Sequence, residues 1–494
     1  MKKFFFAILI AIIAVIPLTS IAQAQGPSGE WVSSIYCVNQ ENEVGEVNLL
    51  FYEPGNSDPI LDLNDSIGPY GSKYYYPSDM TELGSFAGSV LAASSTNISC
   101  AVQTSKTAVG TQGDPFMMGS SGGFDSGSIA PVMYVSQVLK NFSSGEFGWY
   151  ESYIAVQNTS TTEVTVRIEY TDRRLGSIPA ATREYTISGQ SSIVIYLEEN
   201  SDIPVGFLGS AKVYSINPES TSLAVQAVFY NDGSNYKKTQ FHVYNGTPQG
   251  ESKLLAPFVM RNFYDFNAGI TVVNTGSNPT SFKIVYSIGR NSVNTYVYQH
   301  PTEINPGDLV AFYLPDVDVL DPVDRLAISE RAGSAVIYAT DINGNLNETG
   351  ELIANVNFRN DGRYSPTPNF GGQAVTYNAI GANQGSQTLY VPNIQNEVGN
   401  ALFTSGINVA NMSDSDGTCT YTFTDDPTVS WIQPLPANGI YSIMVSNIPD
   451  LDKGYSAGAI INCTVDVAAI ITMRANASNY WGDSQTAINA LIGQ

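Results

Sequence analysis

Three short sequence marks recur four times along the chain, in the same order and at nearly constant spacing. The first is an Ile-x-(Val/Cys)-x-Asn motif, which ends at Asn39, Asn158, Asn274 and Asn411. The second is a glycine that opens an aromatic or aliphatic run, at Gly71, Gly189, Gly307 and Gly439. The third is a Gly-Ser or Gly-Ala pair that opens another alternating run, at Gly88, Gly209, Gly333 and Gly458.

The spacing of the third mark sets the size of the repeating unit. Its successive glycines lie 121, 124 and 125 residues apart. Solenoid repeats are much shorter, because each contributes only one supersecondary unit to a shared stack. A unit of the length seen here is large enough to bury a core of its own. The repeat therefore predicts four consecutive domains of similar fold.

Each unit has the pattern of several short strands. Apolar residues at alternate positions, such as Ile154 and Val156, indicate a half-buried strand, and the asparagine after them begins a turn. The second unit contains seven or eight such stretches, separated by turn residues, without a long helical period. We expect an all-β chain of four tandem immunoglobulin-like antiparallel β-sandwich domains, arranged as a rod.

The N-terminal residues have the features of a secretory signal peptide. Lys2 and Lys3 precede an apolar run, and Ala22-Gln23-Ala24 fits the A-x-A cleavage pattern. The apolar run is shorter than a typical transmembrane span. We predict a signal peptide at 1–24 and β-sandwich repeats at 25–128, 129–253, 254–386 and 387–494, so the mature chain is expected to be secreted.

The first repeat departs from the pattern of the other three. Proline marks the opening strand of the later repeats, at Pro131, Pro257 and Pro392. In the first repeat, residues 27–35 hold only a stub of that strand. Such a repeat either exposes a sheet edge or has the edge covered by a partner, and strand donation from a neighbouring chain is one way to cover it.

Charge narrows the class of partner. The formal net charge is −23, and loss of Lys2 and Lys3 with the signal peptide makes the mature chain more negative by two. Nucleic-acid binding needs a cationic face, so the charge argues against a nucleic-acid partner. Acidity also keeps exported proteins soluble, and therefore it does not by itself indicate a cation ligand.

Four cysteines fall into two local pairs. Cys37 and Cys100 lie in the first predicted repeat, and Cys419 and Cys463 lie in the fourth. Three connectivities are possible, and export makes disulfides plausible. We favour pairing within each repeat, because each pair falls inside one predicted domain. A thiolate metal site is the alternative.

The sequence offers little for catalysis. Its two histidines, His242 and His300, both lie in strand-like stretches, where we expect them to be partly exposed. A Ser-His-Asp triad or a histidine zinc site would need one of them together with residues from other repeats. With 45 acidic residues some carboxylates will be close by chance, so a glycosidase pair is not diagnostic. We expect no enzymatic activity and no cofactor.

Two acidic loops are weak candidates for calcium. One loop contains four aspartates, Asp316, Asp318, Asp321 and Asp324. It is either a solvated acidic loop or a weak calcium site. Residues 341–351 begin like an EF-hand loop but lack its glycine and its bidentate glutamate. For this second loop we favour a type I′ hairpin turn at Asn343 and Gly344.

Three consecutive tyrosines, Tyr74, Tyr75 and Tyr76, are candidates for ligand binding. Alternate side chains of a strand point to opposite faces, so we expect at least one of these rings at the surface. An exposed tyrosine can stack on a sugar or serve in an interface. Aromatic filling of the sandwich core is the alternative.

The combined motifs resemble a repeat of exported cell-surface proteins from filamentous bacteria. Residues 204–211 ("PVGFLGSA") and 244–246 ("YNG") match that repeat closely, and the other copies match it more loosely. The resemblance implies an extracellular tandem β-sandwich protein of a family without an agreed activity. We therefore predict a bacterial, non-catalytic structural or adhesive cell-surface protein that binds other surface proteins or copies of itself. A carbohydrate-binding protein that uses surface tyrosines on a polysaccharide is the alternative.

Overall fold

A computed structural model describes the greater part of the chain as β-sheet. It covers residues 8–14, 27, 29–107, 114–144, 148–231, 239–263, 265–288, 294–317, 331–360, 373–476, 482–483 and 485–492. Helical structure in these ranges is limited to short 3-10 turns, so the predicted all-β class is confirmed. Among these residues no helix is long and apolar enough to cross a membrane.

The strands of the first half of the chain fall within the first two predicted repeats and the N-terminal segment. The first eight strands are β1 (Ile8–Ala14), β2 (Trp31–Asn39), β3 (Gly45–Tyr52), β4 (Leu61–Ile67), β5 (Ser72–Tyr75), β6 (Gly88–Ser94), β7 (Ile98–Lys106) and β8 (Phe116–Gly122). The next ten are β9 (Val132–Lys140), β10 (Phe142–Ser143), β11 (Trp149–Asn158), β12 (Val164–Asp172), β13 (Gly176–Ser177), β14 (Arg183–Ile187), β15 (Ser192–Tyr196), β16 (Phe207–Asn217), β17 (Leu223–Asn231) and β18 (Gln240–Asn245).

The second half of the chain continues in the same way. Its first nine strands are β19 (Lys253–Arg261), β20 (Phe266–Asn274), β21 (Ser281–Ile288), β22 (Asn294–Gln299), β23 (Leu309–Tyr313), β24 (Arg331–Thr340), β25 (Leu352–Asn360), β26 (Ala374–Asn378) and β27 (Ile380–Gly381). The remaining nine are β28 (Ser386–Gln395), β29 (Phe403–Asn411), β30 (Gly417–Phe423), β31 (Asp426–Leu435), β32 (Ile440–Met444), β33 (Ser456–Ala475), β34 (Gly482–Asp483), β35 (Gln485–Asn489) and β36 (Leu491–Ile492).

The same two antiparallel sheets recur along the chain. In the second repeat they have the orders β14–β12–β16–β9 and β15–β11–β17–β18. The third repeat has β22–β21–β24–β19 and β23–β20–β25–β26. In the fourth, the 20-residue β33 runs through both sheets and joins them. The predicted antiparallel β-sandwich fold is confirmed.

The first repeat has the equivalent sheets β4–β3–β6–β1 and β5–β2–β7–β8. Its β1 comes from the apolar stretch that we predict to be part of the signal peptide. In the other repeats the equivalent place belongs to β9, β19 and β28, which we call the opening strands.

Alternation along the strands places the core between the two sheets. On β12, for example, Val164, Val166 and Ile168 are fully buried, whereas Thr165 and Arg167 between them are partly exposed. Burying one such aliphatic side chain stabilises the fold by about 1.5–3 kcal/mol. The period-2 pattern in the sequence is therefore the direct source of the two-layer architecture.

The strands β8, β18, β26 and β35 pair with the equivalent strands β7, β17, β25 and β33 of the four repeats, and are here called the closing strands. They pack on one another in cyclic order: β8 against β18, β18 against β26, β26 against β35, and β35 against β8. The first and fourth repeats are thus in contact, and the expected rod is wrong. β18, β26 and β35 each end a row of paired strands, and β8 is followed only by the two-residue β34 of the fourth repeat. Packing of these strands on one another covers backbone edges that a rod would leave exposed.

Opening strands lie at the boundaries between successive repeats. The opening strand β9 packs against β20 and β25 of the following repeat, and β28 packs in the same way against β2 and β7. β19 contacts β29 and β33, and β1 contacts β11 and β17. At every boundary in the cycle, therefore, one strand at the opening position contacts the same two equivalent strands in the second sheet of the following repeat.

Candidate binding clefts between the repeats

The four asparagines of the first mark form one buried turn, repeated four times. The Nδ2 of Asn158 donates to the backbone carbonyl oxygens of Thr162, Ile187 and Ser188 at 2.6, 3.1 and 3.1 Å. Its Oδ1 accepts from the backbone N–H of Ser160 at 3.0 Å. The equivalent contacts are made by Asn39, Asn274 and Asn411. These residues stabilise turns and do not line a binding site.

Glycine in the third mark is required by a close backbone approach. A β-carbon on Gly209 would lie 2.2 Å from the carbonyl oxygen of Thr171 on the neighbouring strand. On Gly88 and Gly333 it would lie 2.0 and 2.2 Å from the equivalent carbonyl oxygens. No side chain fits at such distances, so these three glycines have a packing role.

In the fourth repeat the register of the third mark differs by one residue. Gly209 lies opposite Val138 of its opening strand, and in the fourth repeat Ala457 lies opposite Ile394. Gly458 therefore takes the position of the serine in the other repeats. A β-carbon on Gly458 would lie 2.9 Å from the nearest backbone oxygen, so the approach there is less close.

The residue after the glycine connects neighbouring repeats. The hydroxyl of Ser89 donates to the carbonyl oxygen of Gln190 at 3.4 Å, and that of Ser210 donates to Gly307 at 3.3 Å. At the boundary between the fourth and first repeats, the backbone N–H of Gly458 donates to the hydroxyl of Ser72 at 2.9 Å. Three of the four boundaries thus join the third mark of one repeat to the second mark of the next.

A chain of asparagine side chains follows the closing strands. Asn245 donates to the carbonyl oxygen of Gly122 in the preceding repeat at 2.8 Å. Asn378 donates to that of Asn245 at 2.5 Å, and Asn489 to that of Asn378 at 3.2 Å. The first repeat has Gly122 at this position, and glycine has no side-chain donor. These bonds hold the closing strands together across the repeats.

One buried carboxylate also joins the closing strands. Asp483 is fully buried on β34, which pairs in parallel with β8. Its two oxygens accept from the backbone N–H groups of Phe241 at 2.7 Å and Ala374 at 2.8 Å. Burial raises the pKa of this carboxyl, and the backbone donors oppose that rise. Asp483 therefore connects residues of all four repeats.

Both predicted disulfides are present. Cys37 pairs with Cys100 across β2 and β7, and Cys419 pairs with Cys463 across β30 and β33. The preference for pairing within each repeat is confirmed. The alternative of a thiolate metal site is therefore wrong, because all four thiols are used in disulfides.

A cleft of about 490 Å³ lies at the boundary between the second and third repeats. The guanidinium of Arg173 lies 5.3 Å from the centre of the Phe142 ring, and that of Arg359 lies 5.0 Å from the centre of the Tyr313 ring. Both arginines line the cleft. In a strongly acidic chain this is a local concentration of cationic and aromatic groups. No sequence motif marks these arginines, because they lie far apart in the chain.

His242 lines the same cleft and is 3% exposed, so the expectation of a partly exposed strand residue is wrong for it. Its ring stacks on Phe229 with 4.1 Å between centroids, and its Nδ1 lies 2.6 Å from the hydroxyl of Thr376 in the third repeat. Burial, together with the nearby charge of Arg359, lowers the pKa of the imidazole to about 3. The neutral imidazole therefore connects the second repeat to the third, through its ring stacking on Phe229 and its hydrogen bond with Thr376. His300 is half-buried.

Only one of the four aspartates of the predicted calcium loop lies within the described residues. Asp316 lines the cleft between the second and third repeats, whereas Asp318, Asp321 and Asp324 lie outside the described residues. Among the residues that the structure describes, no group of three or more His, Cys, Asp or Glu side chains is placed to hold a metal.

The EF-hand-like stretch is a turn, as expected. Its β-turn has Ile342 and Asn343 at the centre, closed by a bond from the N–H of Gly344 to the carbonyl oxygen of Asp341. Gly344 follows with φ +84°, and Asn343 is not in the left-handed region. A type I′ turn needs positive φ at both central residues, so that assignment is wrong. The carboxylate of Asp341 accepts from the backbone of Asn343 and Asn345.

The consecutive tyrosines line a second cleft, of about 460 Å³, between the fourth and first repeats. Tyr74 is 62% exposed, and its ring lies 6.4 Å from that of Tyr36. Tyr75 also borders the cleft but is only 4% exposed, because it packs in the core of the first repeat. Tyr76 is half-buried. The exposed ring that a ligand would need is therefore that of Tyr74.

Comparison with known proteins adds little. No family model matches the chain, and no curated protein matches it. The chain is similar to the solved structure of Thermotoga maritima 1070 at 15% identity, with a TM-score of 0.20, over 24% of this chain and 92% of that one. A structure of infectious bursal disease virus, Gx strain, is similar at 7% identity and a TM-score of 0.13, over 93% and 82%. The structure of the enterococcal surface protein, partial N-terminal region, is similar at 8% identity with a TM-score of 0.13, over 55% of this chain and 90% of that one. Likeness this low carries no argument about function.

Proposed function

We propose that the chain is an exported, non-catalytic structural or adhesive protein of the cell surface. In this proposal its four immunoglobulin-like sandwich repeats close into a ring instead of extending as a rod. The signal-peptide pattern supports export, and the disulfides suit an oxidising compartment. Its partners are other surface proteins or further copies of the chain.

The observation that carries this proposal is the cyclic packing of the closing strands. Hydrogen bonds from Asp483 and from the asparagine chain join the four repeats, and in this proposal the joined repeats act as one rigid body. A rigid body of this kind suits a building block or an adhesive head, because it presents fixed surfaces and loses little conformational freedom on assembly.

Two measurements test the proposal. Small-angle scattering and electron microscopy of the purified mature chain are expected to give a compact ring-like particle. Immunogold labelling of the producing cells is expected to place the protein at their outer surface. Freely diffusing monomer found only in the medium, or an intracellular location, would contradict the proposed role.

Carbohydrate binding is a second candidate function, and the cleft at Tyr74 favours it. An exposed aromatic ring beside a polar groove is a common way to bind a sugar face. Asp65 and Lys73 line the same cleft, with 2.5 Å between carboxylate and ammonium, and provide hydrogen-bonding groups at its wall.

A glycan array with the purified protein tests this second function. Tyr74→Ala is the informative variant, since Tyr75→Ala would remove a core residue. Tyr70, 43% exposed and not among the residues that line the cleft, provides the matched control Tyr70→Ala. Binding that falls at least tenfold with Tyr74→Ala alone supports a sugar site. No binding to any polysaccharide, or equal loss with both variants, contradicts it.

A further inference from the structure

We propose that a strand donated by another polypeptide fills the place beside β6 in the exported protein. This inference rests on the export proposed above. The donor is an extended segment with apolar residues at alternate positions. It adds to the first sheet of the first repeat in the place that β1 occupies in the full chain.

The register of β1 is the first argument. In its antiparallel pairing with β6, Ala14 lies opposite Gly88, and Ile12 lies opposite Val90. Two positions further on, Ile10 lies opposite Ala92. The opening strand of the second repeat has the matching pairs Val138–Gly209, Val135–Ala211 and Met133–Val213. β1 therefore occupies the position of an opening strand, relative to the same glycine.

The third and fourth repeats keep the same rule. Opposite Gly333, Ala335 and Ile337 lie the opening-strand residues Val259, Ala256 and Leu254. Opposite Ala457, Ala459 and Ile461 lie Ile394, Val391 and Leu389. All of these opening-strand residues, and those of the second repeat, are at most 4% exposed. The cores of the second, third and fourth repeats thus each contain three apolar side chains from the opening strand.

The position of β1 between the first and second repeats also matches that of an opening strand. Every opening strand also packs against two strands of the following repeat, and β1 does so against β11 and β17. Without an occupant, the first repeat would present the unpaired edge of β6, and the boundary with the second repeat would lose its central element. An unpaired apolar edge of this kind is a template for another strand.

Cleavage is the third argument, because it removes the segment that fills the place. The A-x-A pattern puts the cleavage site after Ala24, beyond β1. Only residues 25–30 then precede β2, and this stretch contains Pro27, Gly26 and Gly29. Proline and glycine are poor strand formers, and six residues cannot run along β6 and then turn back into β2.

The first experiment uses the mature chain, residues 25–494, with synthetic peptides. One peptide carries residues 8–14 between solubilising lysines, and the control peptide carries Ile10→Asp and Ile12→Asp. Hydrogen exchange is measured for the amides of β6, with those of β16 as the internal reference. Without peptide we expect β6 amides to exchange at least tenfold faster than those of β16. The native peptide is expected to slow them, and the control peptide is not.

The other outcomes of this experiment also support or overturn the donated strand. A mature chain that folds only with the native peptide supports the proposal, and so does self-association that protects β6 and is reversed by that peptide. The proposal is overturned if the monomer protects β6 as well as β16 without peptide, if both peptides act equally, or if the chain stays unfolded with either. Intact mass of the exported protein is the second measurement, and retention of residues 8–14 would overturn the proposal. None of these peptide results depends on whether the protein is structural or adhesive.

Discussion

Replacement of Asn158 tests how far the repeated turn stabilises the fold. Its side chain makes five hydrogen bonds, three as donor to carbonyl oxygens and two as acceptor from the backbone and hydroxyl of Ser160. The Nδ2 has only two hydrogens to share among the three carbonyls, so at a net value of about 1 kcal/mol per hydrogen donated or accepted Asn158→Ala would lose about 4 kcal/mol. Water replaces some of these bonds at the exposed side of the turn. We therefore expect a loss of about 3 kcal/mol.

Asn158→Asp tests separately whether the turn needs the Nδ2 donors of the side chain. The carboxylate keeps the acceptor oxygen but places the second oxygen against the carbonyls of Thr162, Ile187 and Ser188. Repulsion there disfavours the charged form, so folding raises the pKa of the introduced carboxyl. A raised pKa means that stability is present below the unfolded pKa of about 4 and is lost as the pH rises. The deficit of the Asp variant is expected to grow between pH 4 and 7.

Denaturant unfolding monitored by tryptophan fluorescence measures both variants against the wild type. Asn343→Ala, in an exposed loop, is the matched control and should stay within about 0.5 kcal/mol of the wild type. Asn274→Ala should cost nearly as much as Asn158→Ala, because it occupies the same turn in the third repeat. The reasoning is refuted if Asn158→Ala behaves like the control, or if the Asp variant shows no dependence on pH.

Two further predictions concern the third mark and the central carboxylate. Gly209→Ala should destabilise the protein by about 2–3 kcal/mol, since its β-carbon would meet the carbonyl oxygen of Thr171 at 2.2 Å. Gly206→Ala, in open space at φ +78°, should cost only about 1 kcal/mol of backbone strain, and equal losses in thermal unfolding would contradict the packing role of Gly209. For Asp483, whose pKa burial raises, folding favours the protonated form, so the wild type should lose stability relative to Asp483→Asn as the pH rises from about 4. Parallel stability curves for these two proteins across pH 4–8 would show that Asp483 does not titrate in this way.

Much of the local structure could be predicted from residues close together in the chain. The asparagine turns, the alternating strands and the glycines at the close backbone approach (Gly88, Gly209 and Gly333) all depend on neighbours within one repeat. The disulfides followed from the same organisation, because each pair lies inside one unit. The sequence predicts only in part which tyrosine is exposed. Alternation places Tyr74 and Tyr75 on opposite faces of the strand, but it does not say which of the two faces the core.

Other features depend on contacts between repeats. His242 was expected to be partly exposed, and its burial arises from packing against Thr376, which belongs to the next repeat. Nothing in the sequence around Asp483 indicates that its carboxylate accepts from Phe241 and Ala374. The arginines of the cleft between the second and third repeats, Arg173 and Arg359, are also brought together only by the folded chain.

The sequence by itself determined that this protein is an all-β chain of similar units, because alternation, turn residues and a steady period are local properties that one chain displays directly. Only the tertiary structure decided how those units are arranged. Whether four sandwiches extend or close depends on which strands meet between repeats, and two strands that meet here, β8 and β35, are more than 360 residues apart. No local pattern encodes that geometry. For the same physical reason the sequence of β1 shows only the pattern of a signal peptide, and its pairing with β6 places it in the first sheet of the first repeat.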